Sequence, residues 1–259
     1  MTAIGQIDKL FSIIAPKSLS ESWDNDGVML CGNLKKTVKK ALFALEVRKQ
    51  TAEYARDNGF DLIVTHHPFI FRGISHITPE NYGVLEILIK SGISVLSYHT
   101  RLDSAQGGVN DVLAQKLGLS EVRCFGGESG QIGRIGKVNG NDGLSLNEFA
   151  KSVKQKLGCE NIMVSCADTG KVIRIAAVVG GAGKDFMSEA KSAGADAFVT
   201  SEIPHHMFIA AQETDLCVLD CGHYYTENPV AYMLENAVKQ KFPEIYTEVF
   251  DVKSPYFCV

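Results

Sequence analysis

Histidines and carboxylates follow four apolar runs of this sequence, each soon after the run ends. They are His66 and His67 after "DLIVT", His99 and Asp103 after "SVLSY", His205 and His206 after "DAFVTSE", and His223 and Glu227 after "LCVLDCG". If the runs are parallel strands, their carboxyl ends meet at one edge of a sheet, where ligand sites form. Imidazoles mixed with carboxylates suit zinc, iron, manganese or cobalt better than calcium. The pattern therefore predicts a metal site at that edge.

The dipeptide His66-His67 favours a pair of metal ions over a single ion. Neighbouring residues on a strand point to opposite faces, so both rings can serve one site only where the strand has ended and the backbone turns. Pro68 favours such a turn. A carboxylate such as that of Glu227 can then bridge two cations about 3.5–4 Å apart. Taken alone, the segment also fits a plain turn, and a single histidine is more often an ordinary surface or core residue.

Strands and helices alternate along the chain and must position these side chains. Buried strands are predicted at residues 41–47, 60–65 and 93–98, with helices between them, and the same alternation resumes after residue 180. This alternation favours largely parallel strands covered by helices. We expect an α/β fold of two lobes, with mixed or largely parallel sheets flanked by helices.

Closely spaced glycines suggest where the two lobes meet. Gly126, Gly127 and Gly130 predict an N-terminal lobe of residues 1–127 and a C-terminal lobe of residues 128–259. The last segment, about residues 195–259, is expected to return and complete the metal site with the first lobe. The strands in "DLIVTHHP" and "DAFVTSEIPHH" are alike, which suggests an internal duplication.

Composition excludes several classes of protein. The formal net charge is −4 and no basic cluster occurs, so a nucleic-acid partner is not indicated. No run of eighteen apolar residues is present, so we expect no membrane-spanning helix. The seven cysteines include no CxxC pair, which argues against a disulfide framework and fits a reducing cytoplasm.

Three further features have two interpretations each. The segment "VVGGAGKDF" lacks both the Walker spacing and the dinucleotide fingerprint. It predicts either a tight strand-to-helix turn or an anion site formed by backbone N–H groups and Lys184. His99 and His206 are candidates for proton transfer or for supporting the metal ligands, and His206 alternatively only begins a helix. Trp23, the only tryptophan, is expected to anchor its loop in the core.

Several segments together resemble one known family. They are "SESWDNDGVMLCG", "LIVTHHPFIF", "SYHTRLDSAQGGVNDVLA", "AAVVGGAGKDF", "AFVTSEIPHH" and "VLDCGHYYTE". In this order they resemble the Nif-three-like family, which carries the label GTP cyclohydrolase I type 2 homologue. The resemblance implies a dinuclear metal centre and a ring-shaped hexamer. It places the metal ligands at His66, His67, Asp103, His223 and Glu227, which are residues that the strand-end pattern also selects.

Two functions are compatible with these features. One is a metal-dependent hydrolase that binds two divalent ions per chain and uses a metal-bound water to attack a small-molecule substrate. The family label suggests opening of the GTP purine ring, although such a site equally suits phosphoesters or amides. The other is a non-catalytic protein that stores or delivers metal ions, or is stabilised by them. No cluster of lysine or arginine lies beside the expected ligands, so strong capture of a triphosphate is not evident.

Overall fold

The chain divides into two compact units, each built from separate stretches of sequence. The computed structural model describes residues 1–138 and 142–259, without the side chains of residues 79–81. The first unit consists of Met1–Leu102 and Val230–Lys253, and the second of Asp103–Pro229 and Ser254–Val259. The predicted lobe boundary at residues 127 and 128 falls inside the second unit, in a connection between two paired strands.

The helices and strands alternate through most of the chain. The helices are α1 (Ile4–Ile14), α2 (Lys49–Asp57), α3 (Pro79–Ser91), α4 (Thr100–Ser104), α5 (Val109–Leu117), α6 (Leu146–Leu157), α7 (Met187–Ser192), α8 (His205–Glu213), α9 (His223–Glu227) and α10 (Val230–Lys241). The strands are β1 (Gly27–Leu30), β2 (Lys40–Ala44), β3 (Leu62–Thr65), β4 (Ser94–Ser97), β5 (Ser120–Phe125), β6 (Gly133–Lys137), β7 (Leu144–Ser145), β8 (Met163–Ser165), β9 (Val172–Ile173), β10 (Ile175–Val178), β11 (Ala197–Thr200), β12 (Cys217–Asp220) and β13 (Tyr246–Val249). Among the described residues, none of the helices combines the length and apolar character needed to cross a membrane.

The first unit is built on a five-stranded sheet in the order β1-β4-β3-β2-β13. Strands β13, β2, β3 and β4 are parallel, and β1 pairs with β4 in the antiparallel sense. All four residues of β3 and of β4 are buried, as expected for strands covered on both faces. The register pairs Thr65 with Ser97, so the segments that follow β3 and β4 leave the sheet side by side.

The second unit contains a six-stranded sheet in the order β5-β6-β10-β11-β12-β8. Its three strands β10, β11 and β12 are parallel, while β6 and β8 run antiparallel to their neighbours. Thr200 at the end of β11 pairs with Asp220 at the end of β12. The segments that carry Glu202 and His223 therefore also begin side by side.

These sheets confirm the predicted α/β fold. Each unit contains three parallel strands connected by helices, β2-α2-β3-α3-β4 in the first and β10-α7-β11-α8-β12 in the second. In each set the strand that is second in sequence lies in the middle of the three. This shared topology is what an internal duplication would leave.

One pair of cysteines is disulfide-bonded, although the cysteine pattern of the sequence argues against a disulfide framework. Cys166 and Cys217 form a disulfide. Cys217 begins β12, whose next residue Val218 pairs with Ser165 of β8, so Cys166 lies opposite Cys217 across the two strands. The number and spacing of cysteines carry no information on such cross-strand proximity, because the two residues are 51 positions apart.

Candidate metal centre

His66 follows β3 directly and is fully buried. Its Nδ1 atom lies 2.9 Å from the backbone oxygen of Tyr98, which follows β4. A carbonyl oxygen can only accept a hydrogen bond, so Nδ1 of the neutral ring carries the hydrogen and Nε2 carries the lone pair. The pairing of β3 with β4 therefore determines which nitrogen of His66 can bind a cation.

His67 is oriented by a carboxylate from the end of β2. Its Nδ1 atom lies 2.8 Å from Oε2 of Glu46. The hydrogen bond from His67 lowers the pKa of Glu46 to about 2, against the opposing effect of partial burial and with a further contribution from Arg48. An ionised Glu46 keeps the hydrogen of His67 on Nδ1 and raises the basicity of Nε2, as carboxylates do beside metal-binding histidines.

His99 completes a cluster of three imidazoles in the first unit. Its ring centroid lies 5.2 Å from that of His66 and 6.0 Å from that of His67. Its Nδ1 atom lies 2.9 Å from Oδ1 of Asp24, whose other oxygen accepts from the N–H and the hydroxyl of Thr100 at 3.0 and 2.6 Å. Ring nitrogens of His66 and His67 lie within 4.8 Å of each other, so two of the predicted ligands converge here.

The Asp24 side chain is itself inaccessible to solvent. Burial alone would raise its pKa, but the interactions with His99 and Thr100 outweigh burial and lower the pKa of Asp24 to about 2. Asp24 is therefore ionised and holds His99 in place. The sequence analysis gave no role to Asp24 or Glu46. It placed Glu46 inside the predicted strand 41–47, whereas β2 ends at Ala44 and Glu46 follows it.

The neighbouring Asp26 supports the same loop. Its carboxylate lies 3.2 Å from Nε of Arg101 and 2.6 Å from Nζ of Lys17. It also accepts a hydrogen bond of 3.0 Å from the hydroxyl of Ser20.

The second unit brings His223 and Glu227 together on α9. They are four residues apart and so lie on the same face of the helix, with Nε2 of His223 2.8 Å from Oε2 of Glu227. Nδ1 of His223 lies 2.7 Å from Oε1 of Glu202, which has a left-handed backbone with φ of 57°. Burial disfavours the charged ring, but Glu227 and Glu202 outweigh it and raise the pKa of His223 to about 9. In the absence of a metal, a proton therefore occupies the position between His223 and Glu227 at neutral pH.

The glycine-rich segment after β10 makes room for the Glu227 carboxylate. A Cβ atom on Gly181 would lie 2.1 Å from Oε1 of Glu227 and 3.0 Å from Nε2 of His223, and φ of Gly181 is +62°. Only glycine fits a backbone this close to the two side chains.

Three N–H groups of this segment are occupied by side chains of the protein itself. Those of Gly180, Gly181 and Gly183 donate to side-chain oxygens at 2.7, 3.0 and 3.0 Å. Of the two interpretations of "GGAGK", the tight turn therefore agrees with the structure. The anion site would need N–H groups that these hydrogen bonds already use.

Asp103 is a buried residue of α4. Its backbone oxygen accepts a hydrogen bond of 3.4 Å from Nδ2 of Asn110, whose Oδ1 accepts from the N–H of Gly180 at 2.7 Å. Asn110 is fully buried on α5. It therefore connects the segment of Asp103 to the glycine-rich segment that adjoins Glu227.

His206 and Trp23 are both exposed to solvent in the structure. His206 is exposed in the first turn of α8, so its position allows proton exchange with solvent but gives no direct sign of a role. Trp23 was expected to be buried, and this is wrong because 60% of its surface is exposed. Asp24 and Asp26, not the indole, fasten this loop.

The donor set fits divalent cations on the chemistry of its own atoms. Four imidazoles each have an oxygen atom within hydrogen-bonding distance of Nδ1, at 2.9, 2.8, 2.9 and 2.7 Å for His66, His67, His99 and His223. In each neutral ring Nε2 is then the nitrogen with the lone pair. This arrangement is typical of metal-binding histidines and is not needed by a histidine that only fills space.

Comparisons with known proteins agree over nearly the whole chain. The family model of Duf34/NIF3 (NGG1p interacting factor 3) matches residues 2–255. A Clostridium perfringens protein named GTP cyclohydrolase 1 type 2 homolog is 34% identical over 245 residues, which are 92% of this chain and 92% of that protein.

Solved structures share the fold. A Bacillus cereus protein related to NIF3 has a TM-score of 0.91 at 21% identity, covering 100% of this chain and 99% of that one. Reduced HcgD from Methanocaldococcus jannaschii has a TM-score of 0.83 at 27% identity, covering 96% of this chain and 97% of that one. With a family model that spans almost every residue, the chain belongs to the Duf34/NIF3 family.

Proposed function

We propose that the protein binds two divalent metal ions and uses them to hydrolyse a small-molecule substrate. The ligands are the five residues that the strand-end pattern and the family resemblance select together: His66, His67, Asp103, His223 and Glu227. Glu227 is the proposed bridging carboxylate.

The observation that carries this proposal is the orientation of the imidazoles. Nδ1 of His66 lies against a carbonyl oxygen, and Nδ1 of His67 lies against a carboxylate whose pKa is about 2. Both partners fix the hydrogen on Nδ1 and leave Nε2 as the donor to a cation. Glu202 has the same relation to His223.

Binding of a cation at His223 is coupled to loss of a proton. The ring carries a proton at neutral pH because Glu227 and Glu202 raise its pKa to about 9 against the effect of burial. A divalent cation held by His223 and Glu227 would compensate the same negative charge more strongly. Metal binding should therefore release protons and strengthen as the pH rises.

When bound, a pair of such ions acts as a Lewis acid and lowers the pKa of a coordinated water, which suits hydrolysis of an electrophilic carbon or phosphorus centre. In this chemistry the residues of the chain bind the metal ions and transfer protons. Asp24 fixes the Nδ1 side of His99, so exchange of a proton takes place on its Nε2 atom. His99 and, from the surface of α8, His206 are the proposed groups that protonate the leaving group.

The relatives named GTP cyclohydrolase 1 type 2 homolog make a purine nucleotide one candidate substrate. A dinuclear centre also suits phosphoesters and peptides, so the experiment is a turnover screen of all three classes. It compares the chelated protein with the same protein after zinc, iron, manganese or cobalt is restored. Turnover that requires the metal supports the proposal, and unchanged turnover after verified metal removal contradicts it.

Variants separate loss of metal from loss of proton transfer. Asp103→Ala should abolish turnover because it loses metal, whereas His206→Ala should slow turnover at full metal content. His76→Ala is the matched control, since His76 is an exposed histidine in the first unit. If the protein binds two ions but hydrolyses none of the substrates, the alternative of a non-catalytic metal-binding protein is favoured.

A further inference from the structure

An exposed aromatic pair adjoins the histidine cluster. The indole of Trp23 is 60% exposed and the ring of Phe71 is 45% exposed. Their centroids lie 6.1 Å apart at an interplanar angle of 63°. Leaving two large aromatic rings in water sacrifices the burial that usually stabilises them. The position of this pair therefore needs an explanation other than packing of the core.

Both rings contact His99 through edge-type geometry. Trp23 lies 6.2 Å from the His99 ring at 74°, and Phe71 lies 6.1 Å from it at 88°. None of these three contacts is a parallel stack, so they leave open surface on the indole for a further ring. His99 in turn lies 5.2 Å from His66, one of the proposed metal ligands.

The loop that carries the indole is held by the two residues that follow it, Asp24 and Asn25. Asp24 accepts hydrogen bonds from Thr100 and contacts His99, as described above. Nδ2 of Asn25 donates to the backbone oxygen of Ile70 at 2.5 Å, and Ile70 precedes Phe71. One hydrogen bond thus joins the two segments that carry the aromatic rings. The rings are exposed because the backbone around them holds them there.

We propose that Trp23 and Phe71 form a stacking platform for a flat aromatic or heteroaromatic ring of the substrate. A ring lying on the indole has its substituents beside the imidazoles of the first unit, where the proposed chemistry takes place. Aromatic faces stack in offset geometry with little dependence on the substituents of the ring, so this platform selects for flatness and not for charge. That the stacked ring belongs to a substrate rests on the proposed hydrolase function. That the platform binds a flat ring does not depend on that function.

The single tryptophan gives a direct measurement of this binding. Trp23 is the only tryptophan of the chain, so all tryptophan emission comes from the platform. The full-length protein is titrated with guanosine and with adenosine, excited at the red edge of indole absorption, with ribose as the control that lacks a ring. Saturable quenching by both nucleosides and none by ribose is expected. Phe71→Ala removes one aromatic ring of the platform and should raise the Kd about tenfold.

Tyr232→Ala is the matched variant, because Tyr232 is also an exposed aromatic residue of the first unit, on α10. It should leave the Kd unchanged. Phe71→Leu keeps an apolar side chain without an aromatic face and should weaken binding nearly as much as Phe71→Ala. Equal binding by Phe71→Leu and the wild type would overturn the proposal.

Two other outcomes would also overturn it. One is that no nucleoside quenches Trp23. The other is that emission shifts to the blue with protein concentration alone, which would mean that a second copy of the chain covers the rings. Each titration is run on chelated and on metal-restored protein, with metal content measured separately. Quenching without metal-dependent turnover would support the platform and contradict the proposed hydrolase function. Metal-dependent turnover without quenching would support the hydrolase function and contradict the platform.

Discussion

Each imidazole of the candidate centre is oriented by an oxygen atom on its Nδ1 side, and for His67 that atom belongs to Glu46. We predict that Glu46→Gln weakens zinc binding roughly 10- to 100-fold, the usual cost of losing a carboxylate behind a metal-binding histidine. The amide has no charge to raise the basicity of Nε2, and its NH₂ group can favour the wrong ring tautomer. Competition with a chromophoric chelator measures the affinity. Glu53→Gln, which removes a partly exposed carboxylate of α2, should have no effect.

Gly181 allows the glycine-rich segment to approach Glu227. We predict that Gly181→Ala lowers metal affinity at least about tenfold, since the new Cβ atom would lie 2.1 Å from Oε1 of Glu227 and must displace it. The left-handed backbone adds a stability cost of about 1–2 kcal/mol. Gly158→Ala is the matched control, because φ of Gly158 is +75° but its Cβ would meet nothing within 4 Å. If the two variants bind metal equally well, Gly181 does not position Glu227.

The buried Asp24 carboxylate gives the first unit a specific acid sensitivity. Its pKa of about 2 in the folded protein is lower than the ordinary value of 3.8, because His99 and Thr100 outweigh burial. The unfolded chain therefore binds more protons in this range. The stabilisation is fully present above about pH 3.8 and is lost as the pH falls through about 2, and it amounts to about 2 kcal/mol.

Urea unfolding of the metal-free protein at pH 2, 4 and 6 tests this contribution. Asp24→Asn should be less stable than the wild type at pH 6, and the difference should shrink towards pH 2. A difference that stays constant over this range would show that protonation of Asp24 does not determine it.

At the level of secondary structure, local sequence signals predicted the positions of the strands and of the polar residues after them. The run "FDLIVT" contains β3. The sequence pattern of a capping box, Ser145 followed three residues later by Glu148, stands at the start of α6, where Ser145 N–H donates to Glu148 Oε2 at 3.0 Å. Apolar runs and caps depend on residues only a few positions apart. Prediction from one sequence therefore succeeds for them.

Contacts between distant segments could not be predicted in this way. The pairing of Glu46 with His67 and that of Asp24 with His99 join residues 21 and 75 positions apart. The exposure of Trp23 also depends on contacts between distant segments. Its neighbours form hydrogen bonds to a distant loop and to a strand end, and these bonds hold the indole out of the core. Residue type alone indicated burial for a tryptophan.

For the molecule as a whole, we predict a homo-oligomer, most simply a hexamer built from dimers. This prediction rests on the resemblance to the family and not on an interface identified on the surface of the protein. Light scattering of the purified protein should give a mass near six times the 28.2 kDa of one chain. A stable mass of one chain at micromolar concentration would contradict it.

Metal content per chain shows whether five residues of this chain hold two divalent ions. The protein is stripped with a chelator, reconstituted with zinc, freed of excess metal and measured by elemental analysis, together with His66→Ala/His67→Ala and with the control His76→Ala. We expect two ions per chain in the wild type and in the control, and a loss of bound metal in the double variant. Full metal content in a folded double variant would contradict it.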